Sequence, residues 1–260
     1  MRQDRLRSSA IGAFGLAVSL ALLAWPACGG SDKGSEVTIS PTPGQSPAAA
    51  ASGPAASTAA GETASGASGF RIISATPFTN KNGLYFVGEV SNESGADAAF
   101  VSVRLTLMDG GGNVLATGKD GLEALTLLPA GRRMPFKMSM SAAPAQWADQ
   151  QFTVLHDPPS DAAREENYTD FELSDVSVQA NAGSPGEVLV QGTIKNTGAK
   201  PASRTRLVFV GRDTAEDVIA AWAANGPAAL GAGDSDTFAF PVLDVAVAPA
   251  TYQVLVRATA

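Results

Sequence analysis

The sequence predicts an all-β protein: two tandem antiparallel β-sandwiches that follow a leader and a structureless spacer. Three observations predict it. From residue 70 onward, short runs alternate apolar and polar residues, with Gly, Asn, Asp and Pro between them. No stretch there carries the i, i+3, i+4 period of a buried helix. The same ordered series of strand and turn residues also occurs twice, about a hundred positions apart.

Composition narrows the function. The 260 residues hold 18 Lys and Arg against 25 Asp and Glu, a net charge of −7, with one Cys and one His. One Cys excludes an internal disulfide and a multi-Cys zinc site. One His excludes a His-rich metal site. An acidic chain with 11 Phe, 3 Tyr and 3 Trp offers no basic-aromatic stripe for nucleic acid.

The first segment reads as an address. Arg2, Arg5 and Arg7 precede an uncharged apolar run from Ala10 to Ala27, the layout of a secretory signal. The run ends Leu23-Ala24-Trp25-Pro26-Ala27-Cys28, so the lone Cys stands directly behind it. This resembles a bacterial lipobox, with small Ala27 before the Cys and Trp25 where Leu is usual. Residues 1–27 are then a lipoprotein signal peptide, cleaved after Ala27, and Cys28 is the lipidation site. An uncleaved anchor and plain secretion are the competing fates. All three put residues 29–260 outside the cytoplasm, and lipidation puts them on the outer face of the cell membrane or in the envelope. Processing removes three Arg and one Asp, which moves the net charge to −9. That disfavours a basic contact with anionic lipid or nucleic acid.

The spacer, 28–69, is almost entirely Ala, Ser, Gly, Pro and Thr. Val37 and Ile39 are its only large apolar residues, too few to offset ordering entropy, so it should be disordered. As a flexible coil it spans roughly 35 Å.

Two copies of one pattern follow. Gly88-Glu89-Val90-Ser91-Asn92 recurs as Gly192-Thr193-Ile194-Lys195-Asn196, and Asp109 as Asp213. Pro129-Ala130-Gly131 and Phe136 recur as Gly231-Ala232-Gly233 and Phe238. Phe152-Thr153-Val154-Leu155 resembles Tyr252-Gln253-Val254-Leu255, which makes Val256 the counterpart of His156. Leu84, Phe86, Gly88 and Val90 share one face of a strand, and Tyr85, Glu89 and Ser91 point away from it. One apolar face implies a half-buried strand. The first sandwich is 70–157 and the second 169–260. The polar, Pro-broken stretch 158–168 is the linker.

The first copy resembles the FxLYD domain, a small immunoglobulin-like module of bacterial and archaeal surface lipoproteins. The resemblance rests on Gly88 to Asn92, Leu105-Thr106-Leu107-Met108-Asp109, and Leu128-Pro129-Ala130-Gly131 before Phe136. Leu105 stands where the family has Phe, and Met108 where it has Tyr. The second copy is more divergent and keeps Asp213. The resemblance implies immunoglobulin-like sandwiches and an envelope location, and it supplies no catalytic residues.

Candidate sites reduce to a few. His156 falls at a strand end near Asp157 and Ser160, but a Pro-rich linker fixes no catalytic geometry there. Asp109-Gly110-Gly111-Gly112-Asn113 reads as a Gly-rich turn, without the repeated acids of a calcium loop. Asp213, Glu216 and Asp217 in the matching loop are the calcium candidates. Trp147 and Trp222 read as packing residues before sugar platforms. The chain should therefore be a non-enzymatic envelope lipoprotein that uses no cofactor and displays two adaptor modules on a tether. Its partners would be the membrane, through its lipid, and another envelope protein. The alternative is a surface module binding glycan or calcium.

Overall fold

The computed structural model describes residues 36–39, 69–80, 82–119, 126–140, 144–180, 186–245 and 248–260. The leader, the cleavage point after Ala27 and Cys28 lie outside the described residues. Among the described residues, fifteen strands and one short helix appear in order: β1 (Glu36–Ile39), β2 (Phe70–Asn80), β3 (Gly83–Asn92), β4 (Ala98–Met108), β5 (Val114–Lys119), β6 (Leu127–Leu128), β7 (Arg133–Met140), β8 (Asp149–Asp157), α1 (Asp161–Glu165), β9 (Phe171–Ala180), β10 (Val188–Asn196), β11 (Ala202–Arg212), β12 (Val218–Asn225), β13 (Ala229–Leu230), β14 (Ser235–Val242) and β15 (Thr251–Thr259). Every pairing between them is antiparallel.

The fold is all-β, in two repeated sandwiches. In the first, sheet β2-β3-β7 faces sheet β5-β4-β8, with β6 also on β4. In the second, β9-β10-β14 faces β12-β11-β15, with β13 also on β11. The alternation that predicted the strands fills each interior. Phe86, Leu105, Leu107 and Phe136 are fully buried in the first, and Ile194, Leu207 and Phe209 in the second. Pro135 and Pro241 sit in β7 and β14, the edge strands, where a missing N–H costs no ladder bond.

The repeat holds in the ladders, with one correction. Gly88 faces Phe136 as Gly192 faces Phe238. In the last strands, Val103 faces Val154 while its counterpart Leu207 faces Val256. Phe152 therefore corresponds to Val254, and His156 to Ala258, not Val256. Matching Phe152 to Tyr252 by aromatic character is two residues out of register. Hydrogen-bond pairing with the neighbouring strand, β4 for β8 and β11 for β15, decides the register, not side-chain likeness.

Three further features depart from the sequence reading. First, Glu36–Ile39 within the expected spacer forms a strand on the outer edge of β15, with Val37 opposite Val254. Second, the linker is fastened at both ends. Ser160 caps α1 by accepting from the Ala163 N–H at 3.2 Å, and Ala163 is fully buried with Ala99 and Leu127. Tyr168 bridges Ala258 of β15. Third, β3 is buried on both faces from Leu84 to Asn92. Its outer face does not meet water, because sheet β2-β3-β7 packs against β12 of the second sandwich. Val208, Val210, Val218 and Ala221 belong to the same apolar cluster as Val87 and the first core. The sandwiches therefore stack, outer face on outer face.

Candidate functional site

The seam between the sandwiches holds Glu89, the buried charged residue among the described residues. Glu89, on the outer face of β3, is 3% exposed. Arg212, at the end of β11, donates to it from Nη2 at 2.6 Å and from Nη1 at 3.4 Å. Arg133, in β7, donates to the same carboxylate at 3.3 Å. Arg212 also donates to the Glu216 carbonyl at 3.1 Å. A buried carboxylate held by two guanidinium groups is a directional clasp, and its partners come from both sandwiches. A cleft of about 500 Å³ opens beside it, lined by Arg132, Arg133, Arg212 and Arg257 together with Glu89 and Gln253.

Another part of the seam carries Lys137, from β7. Its Nζ lies 4.8 Å from the Trp222 ring centre and 5.4 Å from that of Tyr85. It donates to the Leu243 carbonyl at 3.2 Å and lies 3.6 Å from the Asp244 carboxylate. Burial pushes the Lys137 ammonium below its usual pKa, and Asp244 opposes that shift. Asn80 holds Asp244 by donating at 2.6 Å. Tyr85, Lys137, Trp222 and Asp244 line a second cleft of about 350 Å³.

The two acidic loops have the same construction. Asp109 Oδ1 accepts the Gly111 and Asn113 N–H groups at 2.8 and 2.9 Å, and Oδ2 accepts the Asn113 side-chain amide at 2.9 Å. These donors hold its pKa below the usual carboxylate range, the Asn113 side chain most of all. Asp213 Oδ1 accepts the Ala215 and Asp217 N–H groups at 2.8 and 3.0 Å. Glu216 stands at φ +66° in that turn. Asp213, Glu216 and Asp217 thus share a hairpin loop whose leading carboxylate closes the turn. Among the described residues, no group of three His, Cys, Asp or Glu side chains is placed to hold a metal ion.

The remaining candidates are dispersed. The exposed His156 ring lies 4.7 Å from that of Phe70, while Ser160 is engaged as the helix cap. Trp147 packs on the first core, 6.2 Å from Phe86. Among the described residues, no helix is long and apolar enough to cross a membrane.

The sequence marks Asn92 and Asn196 as repeat positions, and Asn92-Glu93-Ser94 also matches the glycosylation pattern, but it does not show their structural role. Both are fully buried. Asn92 donates to the Ala96 and Leu128 carbonyls at 2.8 and 2.9 Å, and accepts from the Ser94 N–H and hydroxyl. Asn196 donates to the Lys200 and Leu230 carbonyls at 2.8 and 3.1 Å, and accepts from the Gly198 N–H and the Tyr168 hydroxyl. The same device ties β3 or β10 to the loops around it in each sandwich. The recurrence of an Asn at a strand end was its signal.

No known family matches the chain, and neither does any curated protein. Among solved structures, it is similar at 12% identity and TM-score 0.24 to a β-glucuronidase of glycoside hydrolase family 2, over 62% of this chain and 20% of that one. It is similar at the same identity and TM-score to red sea bream transglutaminase, over 73% and 29%. A calcium-binding mutant of Bacteroides uniformis β-glucuronidase 2 aligns at 12% identity and TM-score 0.20, over 65% and 23%. The chain thus spans less than a third of each, and similarity this low carries no inference about activity.

Proposed function

We propose that the chain is a non-enzymatic lipoprotein of the cell envelope, tethered through Cys28, whose two FxLYD-like sandwiches act as one adaptor body for another envelope protein. One observation carries the adaptor reading. Phe100, Val114 and Leu115, three of the four exposed large apolar side chains among the described residues, lie on β4 and β5 in one sheet of the first sandwich. Phe100 is 56% exposed and Val114 63%. Phe100 stands near one end of β4, and Val114 and Leu115 beside its other end, where Val114 faces Met108; exposed apolar side chains at both ends of one sheet suit a protein contact laid along it. Glu89 and Lys137, by contrast, are taken up by the seam, and Asp109 and Asp213 by their own turns.

Crosslinking the lipidated protein in its own envelope, followed by mass spectrometry, tests this reading. Reproducible crosslinks from the 100 and 114–115 region to one protein are the expected result. A second reading has one observation behind it: Trp222, Tyr85 and Lys137 line a cleft of a kind that accepts a sugar ring. Saturable glycan binding without a protein crosslink would replace the first reading with the second. Calcium binding at Asp213, Glu216 and Asp217 would do the same. Metabolic lipid labelling of the wild type, lost in Cys28→Ser, tests the tether separately.

A further inference from the structure

The two sandwiches treat equivalent edges differently. In the second, β15 pairs with β11 on one side and takes β1 on the other. In the first, β8 pairs with β4, and among the described residues no strand lies along its other side. Ladder register makes Gln150-Gln151-Phe152-Thr153 the counterpart of Tyr252-Gln253-Val254-Leu255, the four residues that face Ile39 to Glu36. An unpaired edge is a row of N–H and C=O groups ready for another strand.

We infer that the β8 edge binds an extended segment of the partner protein by antiparallel strand addition. The segment would carry β-branched apolar residues at alternate positions, with a Lys or Arg beside them. This rests on the adaptor reading above and names its contact. The alternation follows from the edge, because Phe152 and Val154 are buried while Gln151, Thr153 and Leu155 are not. The seated β1 shows the pattern, Glu36-Val37-Thr38-Ile39, on the equivalent strand. The basic flank follows from charge, because Asp149 and Asp157 are exposed at the two ends of β8. The same acids disfavour a second copy of this chain. Full antiparallel overlap of two β8 strands would put Asp149 opposite Asp157 at both ends, and like charges directly opposite are destabilising.

The probe is a synthetic peptide of residues 33–41, which holds Lys33 and the Glu36–Ile39 sequence. It is added to the full chain carrying Cys28→Ser, and backbone hydrogen exchange is read. Exchange across 149–157 should slow about tenfold or more at millimolar peptide. A Val37→Pro peptide, lacking one N–H, should lose the effect. In the full chain carrying Thr38→Pro, which breaks β1, the wild-type peptide should also protect 251–255. Unchanged exchange over 149–157 at about 5 mM peptide overturns the inference. So does protection of 149–157 that needs no peptide and grows with protein concentration, which would make the occupant a second copy. Envelope crosslinks found without β8 protection would leave the adaptor reading standing and remove this one.

Discussion

At the scale of single residues, buried polar side chains decide more than the apolar ones around them. Asn92 satisfies two carbonyls and accepts from Ser94, with no water reaching it. Replacing it by Ala leaves the buried Leu128 carbonyl without this donor, at about 1–3 kcal/mol. Asn92→Ala and Asn196→Ala should each lower the midpoint of urea unfolding, measured by fluorescence. An unchanged midpoint in both would contradict the role described. Asp109 gives a pH-dependent counterpart. Its carboxyl titrates below its ordinary value in the folded chain, so its contribution to stability is complete above the unfolded pKa. That contribution is lost as pH falls through the folded value. A carboxyl NMR titration should place Asp109 below a free Asp, and Asn113→Ala should raise it, because the Asn113 side chain is the largest cause.

At the scale of elements, glycine explains the repeated strand. A methyl on Gly88 would come 2.6 Å from the Phe136 ring and still closer to the Ser74 carbonyl. On Gly192 it would stand 2.8 Å from Phe238 and 3.2 Å from the Ser174 carbonyl. Overpacking of this kind costs about 1–3 kcal/mol. Gly88→Ala should be the more damaging of the pair in thermal unfolding, and the reverse order would contradict the contacts. These strands were legible because a period of two with one apolar face survives in any half-buried sheet. What stayed hidden was burial of the second face. Tyr85, Glu89 and Ser91 look like solvent residues until a partner sheet supplies Arg212. The uninterrupted run Leu207-Val208-Phe209-Val210 was the one available sign of a strand covered on both sides, and the period-two reading passed over it. Strand β1 was hidden for another reason. Four residues in a Ser- and Pro-rich stretch have no local preference strong enough to announce a strand, and only the edge of β15 makes them one.

At the scale of the whole molecule, the stacked seam makes two modules one body. Arg212→Met would leave Glu89 buried with only Arg133, whose side chain is 55% exposed. Breaking a buried pair from one side costs about 3–5 kcal/mol. The variant should melt at a lower temperature in calorimetry and split its transition, with the two sandwiches unfolding separately. Glu89→Leu combined with Arg212→Met should cost less than Arg212→Met alone, because no charge is then stranded. A rigid body also fixes the distance between its two sets of loops, so any bivalent partner must match one spacing. The β1–β15 ladder has a consequence for biosynthesis. Glu36 faces Leu255, so β1 leaves the ribosome long before the strand it pairs with. During synthesis β1 is therefore an unpaired strand, and the second sandwich gains that edge only once β15 has been delivered. A chain stopped before residue 252 would lack that closure, so pairing of β1 reports that β15 has been made.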